Sequence, residues 1–190
     1  LSRAIASGST ENLQVLRLAA NQVGDAGASA LAGAIASRPM ASLKLLDLGR
    51  SKIGDAGMDE LSRAIARRFL GSLTHLELRS NRIGDAGLNA LSEAVASGSM
   101  ANVVSLNLSR NDIGDAGLSA FAGAIASGSM ASLAILDLGR NRIGDAGMQS
   151  FVSAIANGSL GNIQYLDLYR NQVEDAGMSA LAAAIASGSL

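Results

Sequence analysis

Asn21-Gln22-Val23-Gly24-Asp25-Ala26-Gly27 returns as Ser51–Gly57, Asn81–Gly87, Asn111–Gly117, Asn141–Gly147 and Asn171–Gly177. The copies start at 21, 51, 81, 111, 141 and 171, so the period is 30 residues without insertion or deletion. A fixed period of this size marks a solenoid in which each unit packs only on its neighbours. The units run at about 11–40, 41–70, 71–100, 101–130, 131–160 and 161–190, one repeat domain preceded by the end of another helix at 1–10.

Upstream of the seven-residue marker the chain alternates. Leu16 and Leu18 share one face and Val15 and Arg17 the other, as a half-buried strand requires. The frame repeats as Leu46/Leu48, Leu76/Leu78, Leu106/Leu108, Leu136/Leu138 and Leu166/Leu168. Asn21 turns the chain, and its copies should stack into a ladder of amides bonded to turn backbone. Ser51 replaces Asn in the second unit, where the ladder should be weakest. Downstream, Asp25 has the chemistry of an N-cap for the helix that follows, with Leu31 and Ile35 at i, i+4. Gly98, Gly128, Gly158 and Gly188 suit left-handed helix ends, where Arg38-Pro39 and Arg67-Arg68-Phe69 depart from the pattern. Met40, Leu70, Met100, Met130 and Leu160 should plug the return turn. Strands stack about 4.8 Å apart, whereas helices are about 10 Å wide. The expected fold is therefore an α/β horseshoe, with a parallel sheet on the concave face and helices on the convex face.

Composition narrows the function. Net charge is −1 and aromatics are 3%, so no general field favours nucleic acid or an anionic membrane. No apolar run approaches the about 20 residues of a membrane span. The chain has no cysteine, which removes disulfides, thiolate chemistry and Cys-based metal sites and fits a cytoplasmic setting.

The string Leu-x-x-Leu-x-Leu-x-x-Asn-x-Ile-Gly-Asp-x-Gly-x-x-x-Leu-x-x-Ala-Ile, as in residues 133–155 with Phe151 in the helix Leu position, resembles the ribonuclease-inhibitor-like subfamily of leucine-rich repeats. The resemblance spans essentially the whole chain. It implies a full helix on the convex side of each repeat and binding of another macromolecule by the concave face or loop edges. Its family includes RNase inhibitors, innate-immune sensors, GTPase-activating proteins and bacterial effectors, and fold does not choose among them. The copies are unusually alike, as recent duplication or consensus design would leave them. Leu1-Ser2-Arg3-Ala4-Ile5-Ala6 matches Leu61–Ala66, and Gly188-Ser189-Leu190 closes the chain without a polar capping unit. Exposed end repeats of this kind imply end-to-end self-association at high concentration.

Outward strand positions form columns. One reads Val15, Leu45, His75, Ser105, Ile135, Tyr165; the next reads Arg17, Asp47, Glu77, Asn107, Asp137, Asp167. A third reads Ala19, Gly49, Arg79, Ser109, Gly139, Tyr169, and the rim beyond carries Ala20, Arg50, Ser80, Arg110, Arg140 and Arg170. An acidic stripe thus lies beside a basic rim. Tyr165, Tyr169, Arg140 and Arg170 are the expected anchors for a protein partner of mixed charge, supported by Arg110, Asp137, Asp167, His75, Glu77 and Arg79, because Tyr and Arg are enriched among interface hot spots. The plainer alternative is that these charges pair across neighbouring strands and keep the sheet soluble.

Chemistry of other kinds is poorly supported. His75 and Glu77 share a face but have no companion nucleophile or cleft. Asp47/Glu77 and Asp137/Asp167 are too few oxygens for Ca²⁺, and arginines flank them. Gly-Asp-Ala-Gly lacks the spacing and the Lys-Ser/Thr of a phosphate loop. Asn107-Leu108-Ser109 and Asn157-Gly158-Ser159 fit the glycosylation pattern, the first within a strand. The expected function is a non-enzymatic protein-interaction module, part of a larger protein, with no cofactor and no metal. The competing readings are a structural or consensus-designed scaffold without a ligand and a GTPase-activating protein of this repeat class.

Overall fold

The structure, a computed structural model, describes residues 11–156 and 159–188. Among the described residues, six short strands alternate with six helices. The strands are β1 (Val15–Arg17), β2 (Leu45–Asp47), β3 (His75–Glu77), β4 (Ser105–Asn107), β5 (Ile135–Asp137) and β6 (Tyr165–Asp167). The helices are α1 (Gly24–Ser37), α2 (Asp55–Ala66), α3 (Asp85–Ala96), α4 (Asp115–Ile125), α5 (Asp145–Ile155) and α6 (Asp175–Ala186). All strands lie in one parallel sheet in sequence order, each residue beside the equivalent position of the next repeat, as Leu46 beside Leu76. A solenoid with its sheet on the concave side and its helices on the convex side results.

One core runs between the layers. Leu46, Leu76, Leu106 and Leu136 point inward from the strands and meet Met58, Leu88, Leu118 and Met148 from the helices, all essentially inaccessible. Phe121 and Phe151 are the bulkiest buried side chains. Met40, Leu70, Met100, Met130 and Leu160 are buried at the return turns, as their recurrence implied. The last repeat is open. Met178 and Ile185 are 53% and 59% exposed, whereas their counterparts Met148 and Ile155 are fully buried.

The asparagine ladder joins repeats. Asn81 Nδ2 donates to Leu78 O in its own turn and to Leu48 O one repeat back, while its Oδ1 accepts the amides of Ser51 and Ile53. Asn111, Asn141 and Asn171 repeat the bridge. Ser51 is too short to do so. Its Oγ makes only long bonds, 3.4 Å to Leu18 O and 3.3 Å to Gly49 O, and no repeat-1 amide reaches it among the described residues.

The aspartate of the marker does not cap its own helix, contrary to the sequence expectation. Asp55 occupies the first helical position, and the capping residue before it is Gly54, which has no side chain to offer. The cap comes from the previous repeat: Asp25 Oδ1 accepts the Gly54 amide at 2.6 Å and the Gly57 amide at 3.1 Å. Asp55 serves Gly84 and Gly87 in the same way, Asp85 serves Gly114 and Gly117, and Asp145 serves Glu174 and Gly177. A carboxylate at a helix N-terminus also meets the positive end of the helix dipole. The close approach explains the second glycine, since a Cβ on Gly117 would lie 2.6 Å from Asp85 Oδ1.

Helix ends follow the expected left-handed turn at Gly98, Gly128 and Gly188, with φ of 73°, 76° and 74°. Gly158, like Leu1–Ala6, Ser189 and Leu190, lies outside the described residues. Arg68 takes the glycine position in repeat 2 with φ 61°, so the Arg67–Phe69 departure preserves the turn, and Phe69 packs against the core.

Candidate partner-binding face

The strand register aligns the outward columns across all six repeats: Val15, Leu45, His75, Ser105, Ile135 and Tyr165 lie side by side, and Arg17 through Asp167 lie beside them. Period two sends these side chains away from the core. Tyr165 is 51% and Tyr169 57% exposed.

The second column is partly structural. Asp47, Asn107, Asp137 and Asp167 each turn Oδ1 back to the amide two residues on, at 2.7–3.1 Å, closing the turn that ends the strand. Asp167 also accepts the Tyr165 hydroxyl through Oδ2 at 3.2 Å. That bond, and the carboxylate charge behind it, raise the Tyr165 phenol above its ordinary value. Glu77 is too long to close the same turn. Burial, and then the charge of Asp47, push its carboxyl above the usual range, against the opposing pull of Arg79, the Asn107 amide and His75.

The basic rim sits on unusual backbone. Ala20, Arg50, Ser80, Arg110, Arg140 and Arg170 all have φ between 53° and 58°, the left-handed region that disfavours side chains other than Gly, Asn and Asp. Four of these six positions nonetheless carry arginine. The alternative, in which these charges pair across neighbouring strands, is not seen between the rim arginines and the acidic column among the described residues. The ion pairs there are Arg38–Glu11, Arg63 with Asp59 and Glu60, and Arg142–Asp112, none of them between the column and the rim. Instead the Arg140 and Arg170 guanidiniums lie over the Tyr169 ring, 5.6 and 5.3 Å from its centroid.

The ten residues singled out from sequence therefore fall into two groups. His75, Glu77 and Arg79 lie in repeat 3, where His75 Nδ1 is 2.9 Å from Thr74 Oγ1. Arg110, Asp137, Arg140, Asp167 and Tyr169 line a shallow hollow in repeats 4 to 6 with Gly139 and Ser109, and Arg170, over the Tyr169 ring, and Tyr165, bonded to Asp167, adjoin it. The sequence placed Gly139 and Ser109 in the third column without assigning them a role. Their small size beside Tyr169 and the arginines is the signal that a hollow opens there. Asn107, of the glycosylation pattern, holds the Ser109 amide and hydroxyl with Oδ1. No group of three or more His, Cys, Asp or Glu side chains is placed to hold a metal ion among the described residues, and no helix there is long and apolar enough to cross a membrane.

An open sheet face flanked by a loop rim, carried through all six repeats, defines a solenoid surface. The leucine rich repeat family profile matches residues 11–32, 40–62, 72–92, 99–122, 129–152 and 162–182, and the chain belongs to that family. Among solved structures it is similar to leiomodin-1 actin-binding site 2, with 11% identity, 98% of this chain and 86% of that chain covered, and a TM-score of 0.51. It also resembles the ectodomain of the Arabidopsis thaliana receptor kinase GASSHO1/SCHENGEN3, solved with CASPARIAN STRIP INTEGRITY FACTOR 2 (19% identity, 92% of this chain, 20% of that chain, TM-score 0.49). The Arabidopsis receptor kinase HAESA, solved with the peptide hormone IDA and the co-receptor SERK1, is a further neighbour (16% identity, 91% of this chain, 28% of that chain, TM-score 0.45). At these identities the likeness is one of fold. A comparison with curated proteins finds no match.

Proposed function

We propose that the chain is a protein-interaction module that docks a protein partner on the sheet face and loop rim of repeats 4 to 6. The observation that carries this reading is the cluster of half-exposed Tyr165 and Tyr169 with the Arg140 and Arg170 guanidiniums within cation–π distance of the Tyr169 ring. Exposed aromatics held by arginine present rigid contact area at low entropic cost, the composition of interface hot spots. His75, Glu77 and Arg79 form a secondary contact area on the same face. A full helix of 11 to 14 residues in every repeat supports assignment to the ribonuclease-inhibitor-like subfamily. A place within a larger cytoplasmic protein belongs to the same proposal.

Affinity capture from source-cell lysate tests it. The parent is compared with a variant carrying Tyr165→Ala and Tyr169→Ala, both first shown by circular dichroism to be equally folded. A partner retained by the parent and lost by the variant supports the reading. Retention by both moves the site elsewhere, and retention by neither favours a scaffold without a ligand. A purified small GTPase with a phosphate-release assay tests the GTPase-activating alternative.

A further inference from the structure

This inference rests on the binding-module reading and adds the chemistry of the partner. The charges of the face are not equally available. Asp137 and Asp167 turn an oxygen each to the Gly139 and Tyr169 amides, and Asp167 gives its other oxygen to the Tyr165 hydroxyl. Arg110, Arg140 and Arg170 meet no carboxylate within ion-pair distance among the described residues. Two of the three are held over the Tyr169 ring. A guanidinium carries five N–H donors, and a cation–π contact leaves donors for a carboxylate. All three arginines also stand on left-handed backbone, where glycine or asparagine would sit with less strain.

We propose that this rim binds a carboxylate-rich extended segment of a partner protein. The guanidiniums of Arg110, Arg140 and Arg170 donate to successive Asp or Glu side chains, and Tyr165 with the exposed Ile135 receives a neighbouring apolar side chain. Strands about 4.8 Å apart place the three arginines across about 10 Å, a span a few residues of extended chain cover. Guanidinium and carboxylate pair through two parallel hydrogen bonds, which gives this match its specificity. A nucleic-acid backbone fits less well, because the rim of repeats 4 to 6 carries three arginines and the Glu77–Asp167 column runs beside them.

Fluorescence anisotropy with a short labelled peptide of alternating Glu and Ser is the test. The comparison peptide has Gln in place of Glu, and an oligothymidylate probes phosphate. The key variant is Arg110→Asn, Arg140→Asn and Arg170→Asn, since Asn accepts left-handed backbone and should leave the fold intact; Arg50→Asn is the rim control. The expected result is saturable, salt-sensitive binding of the Glu peptide alone, weakened about two- to fivefold per arginine replaced and unchanged in Arg50→Asn. No binding of the Glu peptide, equal binding by the triple variant, or tighter binding of the oligothymidylate overturns the proposal. A lysate partner still lost with Tyr165→Ala and Tyr169→Ala would then leave the module reading standing without an acidic partner.

Discussion

Asp85 Oδ1 accepts the amide of Gly117, 3.0 Å away in the next repeat, and that of Gly114 at 2.7 Å. Asp25, Asp55, Asp115 and Asp145 likewise secure the start of the following helix, and helix capping becomes a bond between repeats. Asp85→Ala should destabilise the fold by about 1–2 kcal/mol, the usual cost of losing a cap. Gly117→Ala should cost about 1–3 kcal/mol, because the new methyl would meet that carboxylate. Asp175 caps no later repeat among the described residues, so Asp175→Ala should change stability by only about 0.5 kcal/mol. Urea denaturation of the three variants checks the contrast; equal losses for Asp85→Ala and Asp175→Ala would contradict it.

A second joint is the asparagine ladder. Asn111 is buried and bridges Leu78 O, Leu108 O and the Ile83 amide. Asn111→Ala leaves the Ile83 amide without its partner, and Leu78 O and Leu108 O with only the amides of Asn81 and Asn141, and should cost about 1–3 kcal/mol. Ser51→Asn should restore the missing bridge between repeats 1 and 2, adding about 1 kcal/mol and slowing hydrogen exchange at the Val23 amide. Unchanged exchange there would show that the joint is limited by something other than the ladder.

Legibility in the sequence differed between these levels. The alternation of Leu46 and Leu48 and the i, i+4 pair Leu61/Ile65 specify strand and helix directly, because each period belongs to one element. The Asn and Met columns were legible because stacking repeats them in space. The partner of Asp25 was not, since a good N-cap residue reads as local until the packing distance between repeats is known. The commitment of Asp137 and Asp167 to turn amides was hidden for the same reason, and so was the left-handed backbone under Arg140 and Arg170.

Glu77 should make stability depend on pH. Its carboxyl titrates above the 4.5 of an unperturbed side chain, chiefly through burial and then through Asp47. Ionisation therefore costs stability, fully above the raised value and progressively less as pH falls towards 4.5. Glu77→Gln should be more stable than the parent at neutral pH, and the advantage should vanish below that window. Thermal unfolding across pH measures it; a variant less stable at neutral pH would contradict the assignment.

The open face of the last repeat carries Met178 and Ile185 in positions that are buried elsewhere. We propose that, in a polypeptide of these 190 residues alone, exposed apolar area of this kind drives end-to-end association. Sedimentation velocity should show species growing with concentration, suppressed in Met178→Lys with Ile185→Glu. A concentration-independent monomer in the parent would argue against end-to-end contact.

The most direct test of the interaction-module reading is the amide hydrogen-exchange footprint of a captured partner. Protection is predicted on β4 to β6 and on the rim from Arg110 to Arg170, with α1 to α6 unchanged on their outer surface. Protection confined to the helices, with the Tyr165–Arg170 segment exchanging as in the free protein, would contradict it.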